Sequence, residues 1–453
     1  MSSGGLAKRV RAAIGNRVLR RNVLKATSTS LAHRAETVAE RADWEDLRDR
    51  AAAVRDHGLD HLDEVLAEFT ENARRRGTHV HVAVDGDHAC RIVTEIARKA
   101  GATRILKSKS MATEEIELNR AFEARGFVPL ETDLGEYIVQ LAGEPPSHIT
   151  APALHRSTEE IRDIFTEHGV LEGRGTPPTD RQELARWLSL KAREHLRHRL
   201  LDADLGITGA NFLIAETGGA AIVENEGNIR FTTTTPPVHV VVAGIDKLIP
   251  KLTDLATFLP LLTRSATGQR ATSYVQVLSG GLEEQHIVLL DNGRSARLAD
   301  RADREILRCI RCGACLNACP VYRTIGGHAY GWTYPGPIGA LLTPLLRGRI
   351  GDAELPFASS LCGACTEICP VKIDLHGHLL RLRGAGRRPL LERLGFRLFS
   401  WAAAKPSRWA RLVRLARRFQ GPAARWGLIR PWTDHREAPT VAPRSFREMW
   451  RDS

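Results

Sequence analysis

The sequence predicts an α/β domain with a mixed or mostly parallel sheet, followed by a small all-α domain. From Thr78 to about residue 297, short β-rich runs such as HVHVAV, TRILKS and VHVVVAGI alternate with helix-like segments. Strands and helices that alternate at this interval are typical of βαβ units. After Leu298 the composition changes to Cys, Gly and Pro among short helical segments. We therefore predict an α/β domain over 76–297 and an all-α domain over 298–385.

Two further segments flank these domains. Residues 1–75 show helix-spaced apolar positions without a cluster of turn residues, which predicts a helical N-terminal arm. Residues 386–453 form a basic amphipathic tail, in which Trp409, Leu412 and Phe419 share one helix face. Such a tail packs on its own subunit, docks on a partner, or makes peripheral contact with an anionic membrane surface.

The net charge of +12 is unevenly distributed along the chain. From Arg381 to the end there are 18 Lys and Arg against 5 Asp and Glu, a net charge of +13, so residues 1–380 carry −1. A high isoelectric point that arises from one tail, without a recognisable nucleic-acid fold, does not indicate nucleic-acid binding. Nucleic acid is therefore not an expected partner.

The sequence contains no candidate transmembrane segment. Its mainly apolar runs, such as 238–243 with one histidine, are far shorter than the roughly 20 residues that a membrane-spanning helix needs. The start carries eight Lys or Arg before Glu36 but no apolar core of a secretion signal. A mitochondrial transit peptide has the same basic, acid-free appearance. We expect instead that this segment is part of the helical arm of a cytoplasmic protein.

Seven of the eight cysteines lie between residues 309 and 369. Cys309, Cys312, Cys315 and Cys319 form a C-x2-C-x2-C-x3-C-P motif. In two-cluster ferredoxins this run supplies three thiolates to one iron–sulfur cluster and the fourth to its neighbour. The spacing therefore predicts two clusters, most simply of the [4Fe–4S] type.

A second motif, SSLCGACTEICP, repeats the first with Ser359 in the place of the first cysteine. If the last cysteine of each motif binds the cluster of the other motif, the seven cysteines form two sets of ligands. The four-cysteine set comprises Cys309, Cys312, Cys315 and Cys369, and the three-cysteine set comprises Cys319, Cys362 and Cys365. The missing ligand of the second cluster could be Ser359, His328, His376, water or a partner's residue. A three-iron cluster is a further alternative.

Zinc is the main alternative to iron–sulfur clusters, because C-x2-C pairs also occur in zinc ribbons. Zinc sites usually take two such pairs, and they do not explain a C-x2-C-x2-C triplet followed by C-P twice. The eighth cysteine, Cys90, is expected to be a small buried apolar residue, and we assign it no role.

Four polar segments in the α/β domain, at 106–111, 131–137, 206–219 and 224–228, are candidates for a ligand site, and the last three of them contain glycine. Ligands of α/β sheets bind at the carboxyl ends of the strands, where such turns cluster. Lys107 and Lys109 are the predicted contacts of an anionic ligand, and Glu136 and Glu216 are the candidate catalytic carboxylates. Ordinary sharp turns with glycine at positive φ are the alternative interpretation. No segment matches G-x-G-x-x-G or a P-loop.

These segments and the cysteine motifs together resemble the lactate-utilisation protein B family. The matching stretches include KSKSM, ETDLGEYI, GITGANF, ETGGAAIVENEGN, CIRCGACLNACPVYR and SSLCGACTEICPVKI. The resemblance implies an α/β domain of the LUD type, similar to sugar-isomerase and CoA-transferase-like folds, and an α-helical ferredoxin domain. It also implies that a serine at the position of Ser359 is usual.

The resemblance further implies a function. The chain is expected to be the iron–sulfur electron-transfer subunit of a bacterial complex that oxidises L-lactate to pyruvate, with the other subunits as partners. It is not expected to be a self-sufficient enzyme, because no flavin or nicotinamide motif is present. The alternative is an anion-binding enzyme or sensor, in which the α/β domain takes a sugar phosphate or a CoA-type ligand and the clusters are redox-active.

Overall fold

A computed structural model of the chain describes residues 5–281, 283–348, 350–385, 390–425, 433, 437 and 440–451. The chain divides into two compact units, Met1–Gly384 and Ala385–Ser453. Within the described residues, every helix is too short or too polar to cross a lipid bilayer.

The first unit is built from helices and strands that alternate after the N-terminal arm. Its α-helices are α1 (Leu6–Gly15), α2 (Arg17–Ala39), α3 (Trp44–Asp60), α4 (Leu62–Arg75), α5 (Gly86–Lys99), α6 (Met111–Glu115), α7 (Leu118–Glu123), α8 (Leu134–Leu141), α9 (Thr158–Glu167), α10 (Arg181–Leu201), α11 (Asn228–Thr234), α12 (Leu255–Thr267), α13 (Arg294–Ala299), α14 (Arg301–Arg304), α15 (Ala314–Ala318), α16 (Pro320–Ile325), α17 (Gly336–Arg347), α18 (Ala364–Glu367) and α19 (Leu375–Ala385). Its strands are β1 (His79–Ala83), β2 (Ile105–Lys107), β3 (Pro129–Glu131), β4 (Leu205–Thr208), β5 (Phe212–Ile214), β6 (Gly219–Glu224), β7 (Val238–Gly244), β8 (Leu248–Ile249), β9 (Tyr274–Leu278) and β10 (Glu284–Leu290). Short 3-10 helices occur at Ala215–Thr217, Ile245–Lys247, Leu252–Asp254, Glu305–Arg308, His328–Tyr330 and Ile350–Phe357.

The larger sheet has the strand order β1-β10-β7-β4-β2-β3, and all its neighbouring strands are parallel. Parallel sheets are covered on both faces, so their central strands are apolar throughout. The central strand β7, VHVVVAG, is buried along its whole length. Val240 and Val242 pack with α5 and α7 on one face, and Val241 packs with α4 on the other.

A smaller sheet, with the order β8-β5-β6-β9, combines parallel and antiparallel pairs. The predicted α/β class, with a mixed or mostly parallel sheet, is confirmed.

The N-terminal segment contains helices α1 to α4, and it packs on the cysteine-containing region. Helix α2 contacts α12, α15 and α16. The guanidinium of the fully buried Arg55, on α3, donates to the carbonyl oxygens of Asp246, Leu248, Leu307 and Arg308. The arm thereby joins the end of β7 to the segment that precedes the first cysteine motif.

The second unit contains α20 (Leu390–Ala403), α21 (Pro406–Arg425) and α22 (Phe446–Arg451). The apolar side chains predicted to share one face of α21 are about half exposed to solvent: Trp409 is 44% exposed, Leu412 41% and Phe419 53%.

Candidate functional site

The first cysteine motif forms a tight loop before α15. Arg311 and Gly313 both have positive φ, at 60° and 79°. This conformation is easy for glycine and strained for arginine, so other interactions must hold Arg311 in place. The backbone N–H of Arg311 donates to Cys309 Sγ at 3.4 Å. The loop thus directs a backbone donor at its own cysteine sulfur.

The second motif repeats this backbone conformation. Leu361 and Gly363 have φ values of 56° and 83°. The N–H of Leu361 donates to Ser359 Oγ at 3.1 Å, which is the counterpart of the bond from Arg311 to the Cys309 sulfur. Ser359 therefore corresponds in backbone geometry, and not only in alignment, to Cys309.

The four-cysteine set lines one small cavity of about 20 Å³. Cys312, Cys315 and Cys369 are buried and Cys309 is partly exposed. The rest of the lining is mainly apolar and includes Ile149, Ile310, Ile338, Ile373 and Leu375. The N–H of Ile373 donates to Cys369 Sγ at 3.4 Å. Residues 60 positions apart in the chain are therefore gathered around a single space.

The chemistry of these donors fits an iron–sulfur cluster. Burial raises the pKa of the Cys312 thiol to about 12 and that of Cys369 to about 11. Isolated thiols in this setting stay protonated, whereas metal binding holds cysteines as thiolates. Soft thiolates in a dry apolar shell, with backbone N–H groups directed at the sulfurs, match the ligation of iron–sulfur clusters.

The three-cysteine set has an open side. Cys319 and Cys365 are buried, whereas Cys362 is exposed. The pKa of the Cys362 thiol is lowered, mainly by a hydrogen bond from Ser360. Burial, followed by the charges of Cys319 and Cys362, raises the pKa of Cys365 to about 12. Helix α15, whose C-terminal cap is Cys319, contacts helix α18, which contains Cys365.

Tyr330 provides a second test of whether a cofactor fits. It is 1% exposed, and within the described chain its hydroxyl has no hydrogen-bond partner. Burial raises the pKa of Tyr330, and so do the charges of Cys319, Cys315 and Cys365. A buried hydroxyl without a partner is costly, so this donor near both sets fits an acceptor such as a cluster sulfur.

The two histidines considered as the missing ligand of the three-cysteine set have different surroundings in the structure. His328 Nε2 lies 2.8 Å from the carbonyl oxygen of Pro145. His328 also belongs to a group with Glu144 and His155, whose potential ligand atoms all lie within 4.8 Å of one another. By contrast, His376 Nδ1 lies 2.8 Å from Thr366 Oγ1 and follows the second motif.

The predicted anion contact at Lys107 is wrong. Lys107 is fully buried, and its ammonium group pairs with Glu114 at 2.8 Å and Glu131 at 2.7 Å. Alternation along β2 points this side chain away from the predicted ligand and into an acidic cluster that also contains Glu136. Lys109, two residues beyond the strand, lines a different cavity of about 300 Å³.

This second cavity, the α/β cavity, lies at the carboxyl ends of β2, β4 and β7. It includes Gly209 and Ala210 from the predicted turns, together with residues that sequence reasoning missed: Lys247, Arg294, Arg311 and Tyr334. The position of Lys247, three residues after the end of the buried strand β7, is the signal that could have indicated it. Burial is the main cause that lowers the pKa of Lys247 to about 7.

The candidate carboxylates do not line the α/β cavity. Glu216 is exposed and accepts a hydrogen bond from the N–H of Leu252 at 2.8 Å. Glu136 is 2% exposed, and burial raises its pKa well above the usual range. It lines a separate cavity of about 500 Å³ with Glu114 and Glu131. The structure therefore offers no support for either as a catalyst in the α/β cavity.

Three family models match consecutive parts of the chain. The LUD domain matches residues 66–292, a 4Fe-4S dicluster domain matches 305–373, and the model described as lactate utilisation protein B, C-terminal, matches 372–453. The expected LUD-type domain and helical ferredoxin domain are thereby confirmed.

Curated relatives named lactate utilization protein B occur in Bacillus thuringiensis (strain Al Hakam), Bacillus cereus (strain AH187) and Bacillus anthracis (strain CDC 684 / NRRL 3495). Each is 41% identical over 463 residues, covering 98% of this chain and 96% of the relative. A crystal structure of a DUF162 family protein from Deinococcus radiodurans covers 51% of this chain and 98% of its own, with 14% identity and a TM-score of 0.28, a similarity too low to carry an argument. The chain belongs to the lactate utilization protein B family.

Proposed function

We propose that this chain transfers electrons in the oxidation of L-lactate to pyruvate, as one subunit of a cytoplasmic complex. The observation that carries the proposal is the gathering of the four-cysteine set around one cavity, with Cys319 and Cys365 of the three-cysteine set at the end of α15 and on α18, two helices that contact each other. The name of the relatives supports lactate as the substrate of the whole system.

The four-cysteine set is proposed to hold one [4Fe–4S] cluster, and the three-cysteine set the other. When bound, each cluster accepts and releases one electron, at a potential set by hydrogen bonds and burial. Helices α15 and α18 contact each other, and the charge of Cys365 affects the pKa of Cys315. Cys315 and Cys365 therefore lie on the short route between the two sets.

The three-cysteine set is proposed to exchange electrons with a partner subunit. All eight cysteines lie in the described parts of the chain, and of these only Cys362 is exposed. A partner's redox group can approach closely only where the cluster is near the surface. Lactate oxidation releases two electrons, and no flavin or nicotinamide motif occurs in this sequence. The two-electron step is therefore assigned to a partner.

The first test measures the clusters themselves. The full chain, purified anaerobically, is analysed for iron and sulfide and by electron paramagnetic resonance. Cys315→Ser is expected to lose most of the signal of the four-thiolate cluster. Cys90→Ser is the matched control, because Cys90 is a buried thiol outside both sets that donates to the carbonyl oxygen of Ile116. A colourless, zinc-containing wild-type protein would overturn the cluster assignment.

The second test addresses lactate. L-lactate is expected to reduce the clusters only when the partner subunits are present. If lactate leaves them oxidised in the reconstituted complex, the proposed role in lactate oxidation fails.

A further inference from the structure

The α/β cavity has the size and position of a small-molecule site. Its volume of about 300 Å³ is at the lower end of the range for ligand pockets, too small for a CoA-sized molecule. It lies where the parallel strands end, which is the usual ligand position in an α/β sheet. Asn225 and Glu226, which are exposed, line it together with buried residues, so the cavity opens to solvent.

Two lysine amino groups in this cavity lack a partner within the described chain. Within the described chain, Lys109 and Lys247 form no hydrogen bond and no ion pair, in contrast to Lys107, which has two acidic partners. Ser108 is fully buried and also lines the cavity, and its hydroxyl has no hydrogen-bond partner in the described residues. Cations and a hydroxyl donor without protein acceptors indicate that an anion is the missing partner.

Glu224, the buried carboxylate that lines the cavity, already has hydrogen-bond partners within the protein. One oxygen of Glu224 accepts from Gln276 Nε2 at 2.7 Å, and the other accepts from the N–H of Ile229 at 2.9 Å. This carboxylate is therefore not free to neutralise the lysines. Asn211 and Asn228 add polar groups suited to hydroxyls. Two further carboxylates line the cavity: Asp133, whose Oδ1 accepts from the N–H of Glu136 at 3.0 Å, and the exposed Glu226. The cavity thus combines cationic donors, neutral polar groups and two acids that are not fully buried.

Arg311 joins this cavity to the four-cysteine set, since it lines both cavities together with Ile149 and Ile310. Its backbone donates to Cys309 Sγ at 3.4 Å, and its Nη1 donates to the Cys309 carbonyl oxygen at 3.1 Å. Its Nη2 pairs with Asp246 at 3.2 Å. Arg311 and the two isoleucines therefore lie between the α/β cavity and the proposed cluster.

We propose that the α/β cavity binds a small hydroxylated anion, a 2-hydroxy acid or a sugar phosphate, and that its occupancy changes the reduction potential of the cluster held by the four-cysteine set. The second half of this inference rests on the cluster assignment made under the proposed function. The first half, binding of the anion, stands on the cavity alone.

The direction of the effect follows from electrostatics. An anion beside Arg311 makes the surroundings of the four-cysteine set less positive, so that adding an electron there becomes less favourable. Because coupling between two equilibria is reciprocal, the anion must bind more tightly to the oxidised protein than to the reduced protein. A tenfold difference in affinity corresponds to about 59 mV for one electron.

The experiment uses the anaerobically purified full chain, oxidised or reduced with dithionite. Calorimetry measures binding of L-lactate and of glucose 6-phosphate, which distinguishes the two sources of the anion. One of them is expected to bind about threefold to tenfold more tightly to the oxidised form. Lys109→Gln and Lys247→Gln are each expected to weaken that binding about tenfold or more. Lys251→Gln removes the same charge at an exposed site outside the cavity and should leave binding unchanged.

The outcomes separate this inference from the proposed function. If neither probe binds while iron analysis shows full clusters and lactate reduces the reconstituted complex, the anion site is wrong and the electron-transfer role stands. Binding that all three lysine variants leave unchanged also overturns the site. Equal affinity for the two redox states overturns the coupling to the cluster.

Discussion

Replacing Arg294 with methionine should destabilise the first unit strongly, because Arg294 neutralises two buried carboxylates. Its Nη1 and Nη2 each lie 2.8 Å from an oxygen of Glu115, and its Nε lies 2.5 Å from Asp246. All three side chains are at most 2% exposed. In the variant, Glu115 keeps only the neutral donors Asn292 and Tyr334.

The expected magnitude follows from this burial. Removing one partner of a buried ion pair costs about 3–5 kcal/mol, since the remaining charge is left uncompensated. Asp246 still has Arg311 as a partner, at 3.2 Å, so the cost should stay within this range even though two carboxylates are affected. Arg294 lines the α/β cavity, so the variant should also disturb the wall next to the four-cysteine set.

The assay compares the free energy of unfolding in urea, followed by circular dichroism, for the anaerobically purified variants. Arg270→Met is the matched control, because Arg270 pairs with Glu40 at the surface, with side chains 71% and 39% exposed. Surface ion pairs contribute about 0–1 kcal/mol. If Arg294→Met costs no more than Arg270→Met, the buried network does not stabilise the protein as described.

Two further predictions concern the clusters. Ser359→Cys should supply a fourth thiolate to the three-cysteine set and slow the loss of visible absorbance in air, and an unchanged rate would contradict the equivalence of Ser359 and Cys309. Tyr330→Phe should lower the reduction potential of a cluster in a titration followed by electron paramagnetic resonance, because a lost hydrogen bond to a cluster sulfur destabilises the reduced state. Tyr322→Phe is its control, since that hydroxyl already donates to the Ser147 carbonyl oxygen at 2.8 Å, and equal shifts in both variants would contradict the role of Tyr330.

The sequence was most informative where the signal is local. The cysteine motifs could be recognised because two or three residues separate successive ligands within each motif, and this spacing is itself what brings thiolates together. The α/β class could be recognised because strand and helix periodicities are properties of short segments. The alignment of Ser359 with Cys309 was likewise local, and the matching backbone conformation reflects it.

The sequence was least informative where distant segments meet. Lys107 and Lys109 look equivalent in LKSKSM, yet one is buried between two glutamates and the other lines a cavity. The direction of a side chain from a strand decides this difference, and the acidic partners Glu114 and Glu131 come from other elements. Charge and residue type alone could not separate the two lysines.

What the sequence by itself determined is the kind of chemistry: thiolates in cluster spacing, an α/β domain before them, and a basic tail after them. The sequence also assigned Cys369 to the four-cysteine set, and the cavity that these residues line agrees with that assignment. Only the tertiary structure decided that Lys247 and Arg311 line one cavity beside that set. The physical reason is that such neighbours are selected by the packing of the sheet, the arm and the cysteine loops on one another, and packing depends on the whole first unit rather than on any one segment.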